Sequence, residues 1–158
     1  MRKIFFILFI LVFGLLQATA LNYFRLFWVK PDLLLICAVI AALFFSPLAA
    51  IGFAIFIGMY KDTLGFYHFG LNTLLFPAWV FLTIQLGRKI SLDNDFIRAG
   101  FIFLLAALNG VAVKMISDIP VSAGIFFKLL ILEPLYTALV SFLILRFICP
   151  ALENNQSY

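Results

Sequence analysis

Residues 33–60, LLLICAVIAALFFSPLAAIGFAIFIGMY, decide the fold: they are apolar throughout except for the dipeptide Ser46-Pro47. A helix that crosses the hydrocarbon of a bilayer takes about 20 residues. The stretch is therefore either one long kinked span or two short helices turning at Ser46-Pro47, where proline lacks the N–H a continuing helix needs. That choice sets the sidedness of everything downstream. From a cytoplasmic N-terminus, two helices give six spans. Arg2, Lys3, Arg88, Lys89, Arg98 and Arg146 then fall on the cytoplasmic side, against Arg25, Lys30, Lys61 and Lys128 outside. One kinked span gives five spans and leaves only Arg2, Lys3, Lys61 and Lys128 inside. Lys114 lies within a span and counts for neither side. Basic residues accumulate on the cytoplasmic side of membrane proteins, so the sequence predicts two helices here and six spans in all.

Composition supports the same class. Of 158 residues, 66% are hydrophobic and 11% charged, with a mean hydropathy of +1.19; a soluble domain carries about 25% charged residues. So few polar side chains cannot cover a water-exposed surface, and the chain has no length left for a soluble domain beside its apolar segments. The expected fold class is all-α, a polytopic membrane bundle of six transmembrane helices forming a single domain. The net charge of +4 does not indicate nucleic acid, because the basic residues are scattered and sit mostly at the ends of apolar runs, as topological anchors do. Cys37 and Cys149 show no CxxC or Cys/His spacing and read as buried structural thiols. The 21 phenylalanines supply bulk for packing without polar atoms.

Working outward, the predicted spans are about 4–21, 33–45, 47–60, 73–87, 96–117 and 124–148. The first imitates a secretory signal, with Arg2 and Lys3 before an apolar run and Ala18-Thr19-Ala20 after it. Further apolar segments follow instead of a secreted domain, so it is expected to remain as a helix. Pro31-Asp32 opens the second helix, with Asp32 as an N-cap accepting from the backbone N–H groups of Leu34 and Leu35. Residues 61–72, with Asp62, Gly65, His68 and Gly70, read as an external loop, and residues 88–95 as a cytoplasmic connection. Pro150 is expected to stop the last helix, leaving a polar tail over 150–158. Both termini are then cytoplasmic. Small residues recur every four positions, at Gly14 and Ala18, Ala38, Ala42 and Ser46, Ala50, Ala54 and Gly58, and Ala106 and Gly110. In lipid such stripes let helix backbones approach closely, which suits internal packing, with one exposed stripe left for a partner helix.

Residues able to carry chemistry are few. His68 is the only histidine, and no serine or cysteine is tied to it by a motif; no metal-ligand spacing and no phosphate-cradling loop is present. The sequence therefore predicts no enzyme, no metal and no cofactor. Ionisable residues inside spans are costly and each needs a reason. Lys114 and Asp118, four apart on one helix face, suit a pair. Glu133, followed by Pro134, lies near the middle of the last predicted span, where it must be protonated, paired or turned toward a polar cavity; the open roles are a proton relay, a ligand counter-ion, a structural hydrogen bond and a partner contact within the bundle. Asn109 is a candidate bridge between helices. Asp62 can be a helix-end residue with local hydrogen bonds, a partner contact or part of a pocket mouth.

In their order these residues resemble a known family, the bacterial rod shape-determining protein MreD, over nearly the whole chain. The resemblance is carried by Pro31-Asp32-Leu33-Leu34-Leu35, Ser46-Pro47, Gly52, Gly58 with Asp62 four later, and Gly70-Leu71-Asn72-Thr73-Leu74. A weaker match is Glu133-Pro134-Leu135-Tyr136-Thr137, where the family often has leucine-tyrosine-asparagine and this chain has Thr137. The resemblance implies a fold similar to the S component of energy-coupling-factor transporters. It also implies a non-enzymatic inner-membrane scaffold of the cell-elongation machinery, acting in side-wall peptidoglycan synthesis. The implied partner is MreC, through its transmembrane helix and juxtamembrane region, with MreB, a SEDS glycosyltransferase and a class B penicillin-binding transpeptidase reached indirectly. On this reading Pro31, Asp32, Gly58, Asp62, Gly70 and Asn72 shape the extracytoplasmic end. The alternative is a membrane subunit that binds a small molecule or lipid in a cavity lined by Asn109 and Glu133. A transporter S component ordinarily carries an Ala-x-x-x-Ala surface on its first helix for coupling to an ATPase; here only Gly14 and Ala18 stand there, which weakens that alternative.

Overall fold

The computed structural model describes residues 2–19, 30–64, 70–87, 94–116, 124 and 127–153. These residues form six α-helices and no strand: α1 (Arg2–Ala18), α2 (Leu33–Phe44), α3 (Pro47–Leu64), α4 (Leu71–Gly87), α5 (Asp95–Ile116) and α6 (Glu133–Glu153), the last preceded by a π-helical turn, Lys128–Leu132. Two segments, Pro47–Leu64 and Phe96–Ile116 within α5, are long and apolar enough to cross a membrane.

The break at Ser46-Pro47 separates two helices. α2 ends at Phe44, Phe45 is extended, and its N–H closes the last turn on the Ala41 carbonyl at 3.1 Å. α3 starts on Pro47, where a proline loses nothing because the first N–H of a helix has no partner within it. The two helices return antiparallel, since Lys61 near the end of α3 meets Asp32 at the start of α2.

α2 is the hub. It is only 12 residues long, about 18 Å at helical rise, yet it touches all five other helices, and ten of its residues are buried. A helix apolar on every side is stable when other helices cover every side. α3 packs most extensively on α4, and α5 on α6; among the described residues α1 rests on α2 and α3. At one end the rings of Phe6, Phe45 and Phe53 meet with centroids 4.8–5.1 Å apart, tying α1 to the α2–α3 turn. The small-residue stripe of α3 is spent inside the bundle, with Ala50, Ala54 and Gly58 all buried. Gly14 on α1 faces the ring of Tyr60, which fills the place a Cβ would take, and the Tyr60 hydroxyl donates to the Leu11 carbonyl at 3.4 Å.

Several boundaries differ from the sequence reading. α3 runs to Leu64 and α4 begins at Leu71, so Lys61, Asp62 and Asn72 stand on helices and not in the expected loop; the carboxylate of Asp62 holds both helix ends, as described below. α6 continues through Pro150 to Glu153 instead of stopping before it, because a proline in the last turn removes a single N–H. Upstream, Gly124 and Phe127 are helical, and Lys128–Leu132 form a π-helical turn within the expected helix. Pro134 cannot donate to the carbonyl four residues before it, and the backbone widens ahead of it. Pro77 lies inside α4, which loses one hydrogen bond there without ending. His68, Asp118 and the Lys114–Asp118 pair, most of the connection over 23–30, and residues 154–158 of the polar tail lie outside the described residues.

Candidate functional site

Pro31, Asp32, Gly58, Asp62, Gly70 and Asn72, the motif residues of the sequence reading, gather at one end of the bundle, around two aspartates. Asp32 precedes α2, where the free backbone N–H groups favour an anion. Its Oδ1 accepts from Leu35 N–H at 3.2 Å. The N–H of Leu34, expected to share that carboxylate, is taken instead by Oε1 of Gln17 from the end of α1, at 3.1 Å, while Nε2 of the same Gln17 donates to Asp32 Oδ1 at 3.4 Å. On the other oxygen, Asp32 Oδ2 pairs with Lys61 Nζ of α3. The Asp32 backbone N–H donates to Thr137 Oγ1 of α6 at 3.0 Å, and the Thr137 hydroxyl donates to the Glu133 carbonyl at 2.8 Å. Asp32 and the buried Pro31 thus stand where α1, α2, α3 and α6 meet. Lys61 also lies over the Phe76 ring of α4, 4.9 Å from its centroid, a favourable place for a cation.

Asp62 does for α4 what Asp32 does for α2, from across the helix gap. Its two oxygens accept five hydrogen bonds, from the N–H groups of Gly70, Asn72 and Thr73, the Asn72 side-chain amide and the Thr73 hydroxyl, at 2.7–3.1 Å. This is an N-cap supplied by another helix. Two glycines make it possible. Gly70 adopts φ +96°, a left-handed conformation that a Cβ opposes. At Gly58, one turn before Asp62, a Cβ would come 2.6 Å from both the Asn72 carbonyl oxygen and the Thr73 Cα, so α3 and α4 touch backbone to backbone. The Asn72 amide turns its nitrogen to the carboxylate, and its Oδ1 is buried with no partner among the described residues. Of the three roles open to Asp62, the geometry supplies hydrogen bonds that tie two helices.

The intramembrane polar residues separate into two groups. Asn109 bridges helices, its Oδ1 accepting from Trp79 Nε1 at 3.0 Å, which occupies the group expected to line a cavity with Glu133. Glu133 adjoins the Asp32 network through its backbone, its carbonyl accepting from the Thr137 hydroxyl that in turn accepts from the Asp32 N–H. Tyr136, half-buried, is on α6 one turn beyond Pro134's N-terminal neighbours. Sequence reasoning missed Gln17, Thr137 and Thr73 as partners. Gln17 stood in a signal-like segment, and Thr137 was noticed only as a departure from a motif; the one local signal was the glutamine near the end of an apolar helix. Among the described residues no three His, Cys, Asp or Glu side chains are grouped to hold a metal, and Cys37 is a buried free thiol. Chemically, the arrangement locks helix ends together and holds charges in a largely buried setting. Comparison with protein-family models, curated proteins and solved structures returned no match to this chain.

Proposed function

We propose that this chain is a non-enzymatic scaffold of the bacterial inner membrane, a six-span bundle of the MreD kind, which binds the transmembrane helix and juxtamembrane region of an MreC-like protein during side-wall peptidoglycan synthesis. The observation that carries this reading is the meeting of Pro31, Asp32, Gly58, Asp62, Gly70 and Asn72, the residues of the resemblance, in one hydrogen-bonded end of the bundle. Short motifs scattered through the sequence have one structural task in common, to hold helix ends at fixed spacing, and that is what a scaffold requires. The side chains of Asp62 and Asn109 are taken up by neighbouring helices, leaving less for a ligand pocket to use. An N- and C-cytoplasmic topology follows from the distribution of Lys and Arg.

The test is copurification in mild detergent with an MreC-like partner, either intact or with its transmembrane helix exchanged for an unrelated one. Binding to the intact partner and loss of binding with the exchanged helix is the expected result. Retained binding with the exchanged helix moves the interface to the loops, and binding to neither overturns the scaffold reading in favour of a small-molecule or lipid-binding subunit.

A further inference from the structure

Among the described residues the helices fall into two parts that meet along a thin seam. α2 packs closely on α3 and α4, with α1 beside them, while α5 packs on α6 and on the π turn; between the two parts, α5 touches α2 and α4 only slightly. At the Asp32 end the seam is crossed by the hydrogen bond from the Asp32 N–H to Thr137 Oγ1 of α6, at 3.0 Å. Deeper in the bundle it is crossed by the bond from Trp79 Nε1 of α4 to Asn109 Oδ1 of α5, also at 3.0 Å, and Asn109 is buried. α5 runs antiparallel to α6, since Phe96 at its start meets the ring of Phe142 in the second half of α6, 5.2 Å between centroids. From Trp79, α4 continues to Gly87, about 12 Å at helical rise, toward the end away from Asp32. Apolar contact within the core, from Ile102 and Leu105 of α5 and Leu145 of α6, gives the two parts little reason to stay closed in lipid, because acyl chains offer equivalent contact. A buried hydrogen bond does give one, since neither the indole N–H nor the amide oxygen finds a partner in hydrocarbon. α4 is also pliant where this bond sits: Pro77 removes one of its backbone hydrogen bonds, and the Thr83 hydroxyl donates to the Trp79 carbonyl at 2.7 Å, and both features bend helices.

We infer that the bundle opens along this seam and that the Trp79–Asn109 hydrogen bond is the clasp that holds it shut. With the clasp made, α4 is fixed against α5 part-way along both helices. With it broken, the Asp32–Thr137 tie keeps the two parts together at one end, while the second half of α4 and the first half of α5 separate at the other and acyl chains enter between them. The motion belongs to this chain alone, so it goes beyond the scaffold reading and stands or falls without it.

The experiment measures spin-label distances by double electron–electron resonance on the full-length protein in lipid nanodiscs, with Cys37 and Cys149 replaced by alanine throughout. One label pair spans the seam, at Gln85→Cys and Ile97→Cys, and a control pair lies within one part, at Leu48→Cys and Gln85→Cys; all three positions are exposed. In Asn109→Leu and in Trp79→Phe the longer seam distances should gain population by about threefold, the average worth of an interhelical hydrogen bond in lipid, and by at most about seventeenfold. The double variant should match either single one, because both remove the same bond, and the control distance should stay as it is. A seam distance that neither substitution changes overturns the proposal. So does a control distance that broadens along with the seam, or a double variant in which the two effects multiply, since either result means general loosening and no clasp. Should Asn109→Leu fail to fold, Trp79→Phe decides alone, because it keeps an aromatic ring in place and removes the N–H donor.

Discussion

Asp62 shows how much one side chain can do in this molecule. Its carboxylate is buried and meets five donors, three of them backbone N–H groups at the start of α4. Leaving buried donors without acceptors costs about 1–3 kcal/mol for each group, so Asp62→Ala should destabilise by about 3 kcal/mol or more. Asp62→Asn should do little better, because an amide nitrogen would face N–H groups where an oxygen now accepts. Thermal unfolding of the purified variants checks both. Unfolding temperatures like that of the parent would show that the cap is dispensable and return Asp62 to the role of a partner contact. Gly70→Ala is milder. Its φ of +96° lies where L-residues are strained by about 1–3 kcal/mol, while open space surrounds the missing Cβ, so the expected loss is strain alone. Asp32 was legible in the sequence as a cap before α2; its ties to Gln17, Lys61 and Thr137 were not, because those residues lie 15, 29 and 105 positions away.

At the level of helices, close approach decides which pairs form. Gly58 and Gly14 each occupy a place where no Cβ fits, yet their surroundings differ. Gly58 meets the backbone of α4, which cannot step aside, whereas Gly14 meets the ring of Tyr60, which can rotate. Gly58→Ala should therefore cost more than Gly14→Ala, about 1–3 kcal/mol as for other overpacked cores, and should separate α3 from the first turn of α4. Hydrogen exchange distinguishes the two outcomes: faster exchange of the Asn72 and Thr73 amides in Gly58→Ala, and unchanged exchange there in Gly14→Ala. Equal exchange in both variants would show that α4 yields as readily as a side chain. The four-residue spacing of small residues was visible beforehand. Which stripe met which helix was not, since α2 and α3 carry such stripes alike and the pattern names no partner.

For the whole molecule, the alternation of six helices and the placement of Gln17, Asp32, Lys61, Asp62, Asn72 and Thr137 at one end make a topology prediction. Reporter fusions at Asn22 and Phe66 should yield active alkaline phosphatase and dark green fluorescent protein, and fusions at Ser91 and after Tyr158 the reverse. A fluorescent fusion at Phe66 would mean that residues 33–60 cross once, and would overturn the six-span reading. α2 makes the sharper point about assembly. At 12 residues it is too short to span hydrocarbon unaided, and it is covered by every other helix, so it depends on the bundle for its place.

The break at Ser46-Pro47, the cap at Asp32, the helical class and the scarcity of catalytic groups follow from the sequence by itself, because each rests on local backbone chemistry or on the bulk count of apolar residues. The pairing of Asp32 with Lys61, the capping of α4 by Asp62, the Trp79–Asn109 bridge and the tie from Asp32 through Thr137 to the Glu133 carbonyl were decided only by the tertiary structure. The physical reason is the same composition that made the class plain. Helices apolar on nearly every side carry no periodic polar face to orient them, so their rotation and depth are set by where a few glycines permit contact and a few polar side chains find partners.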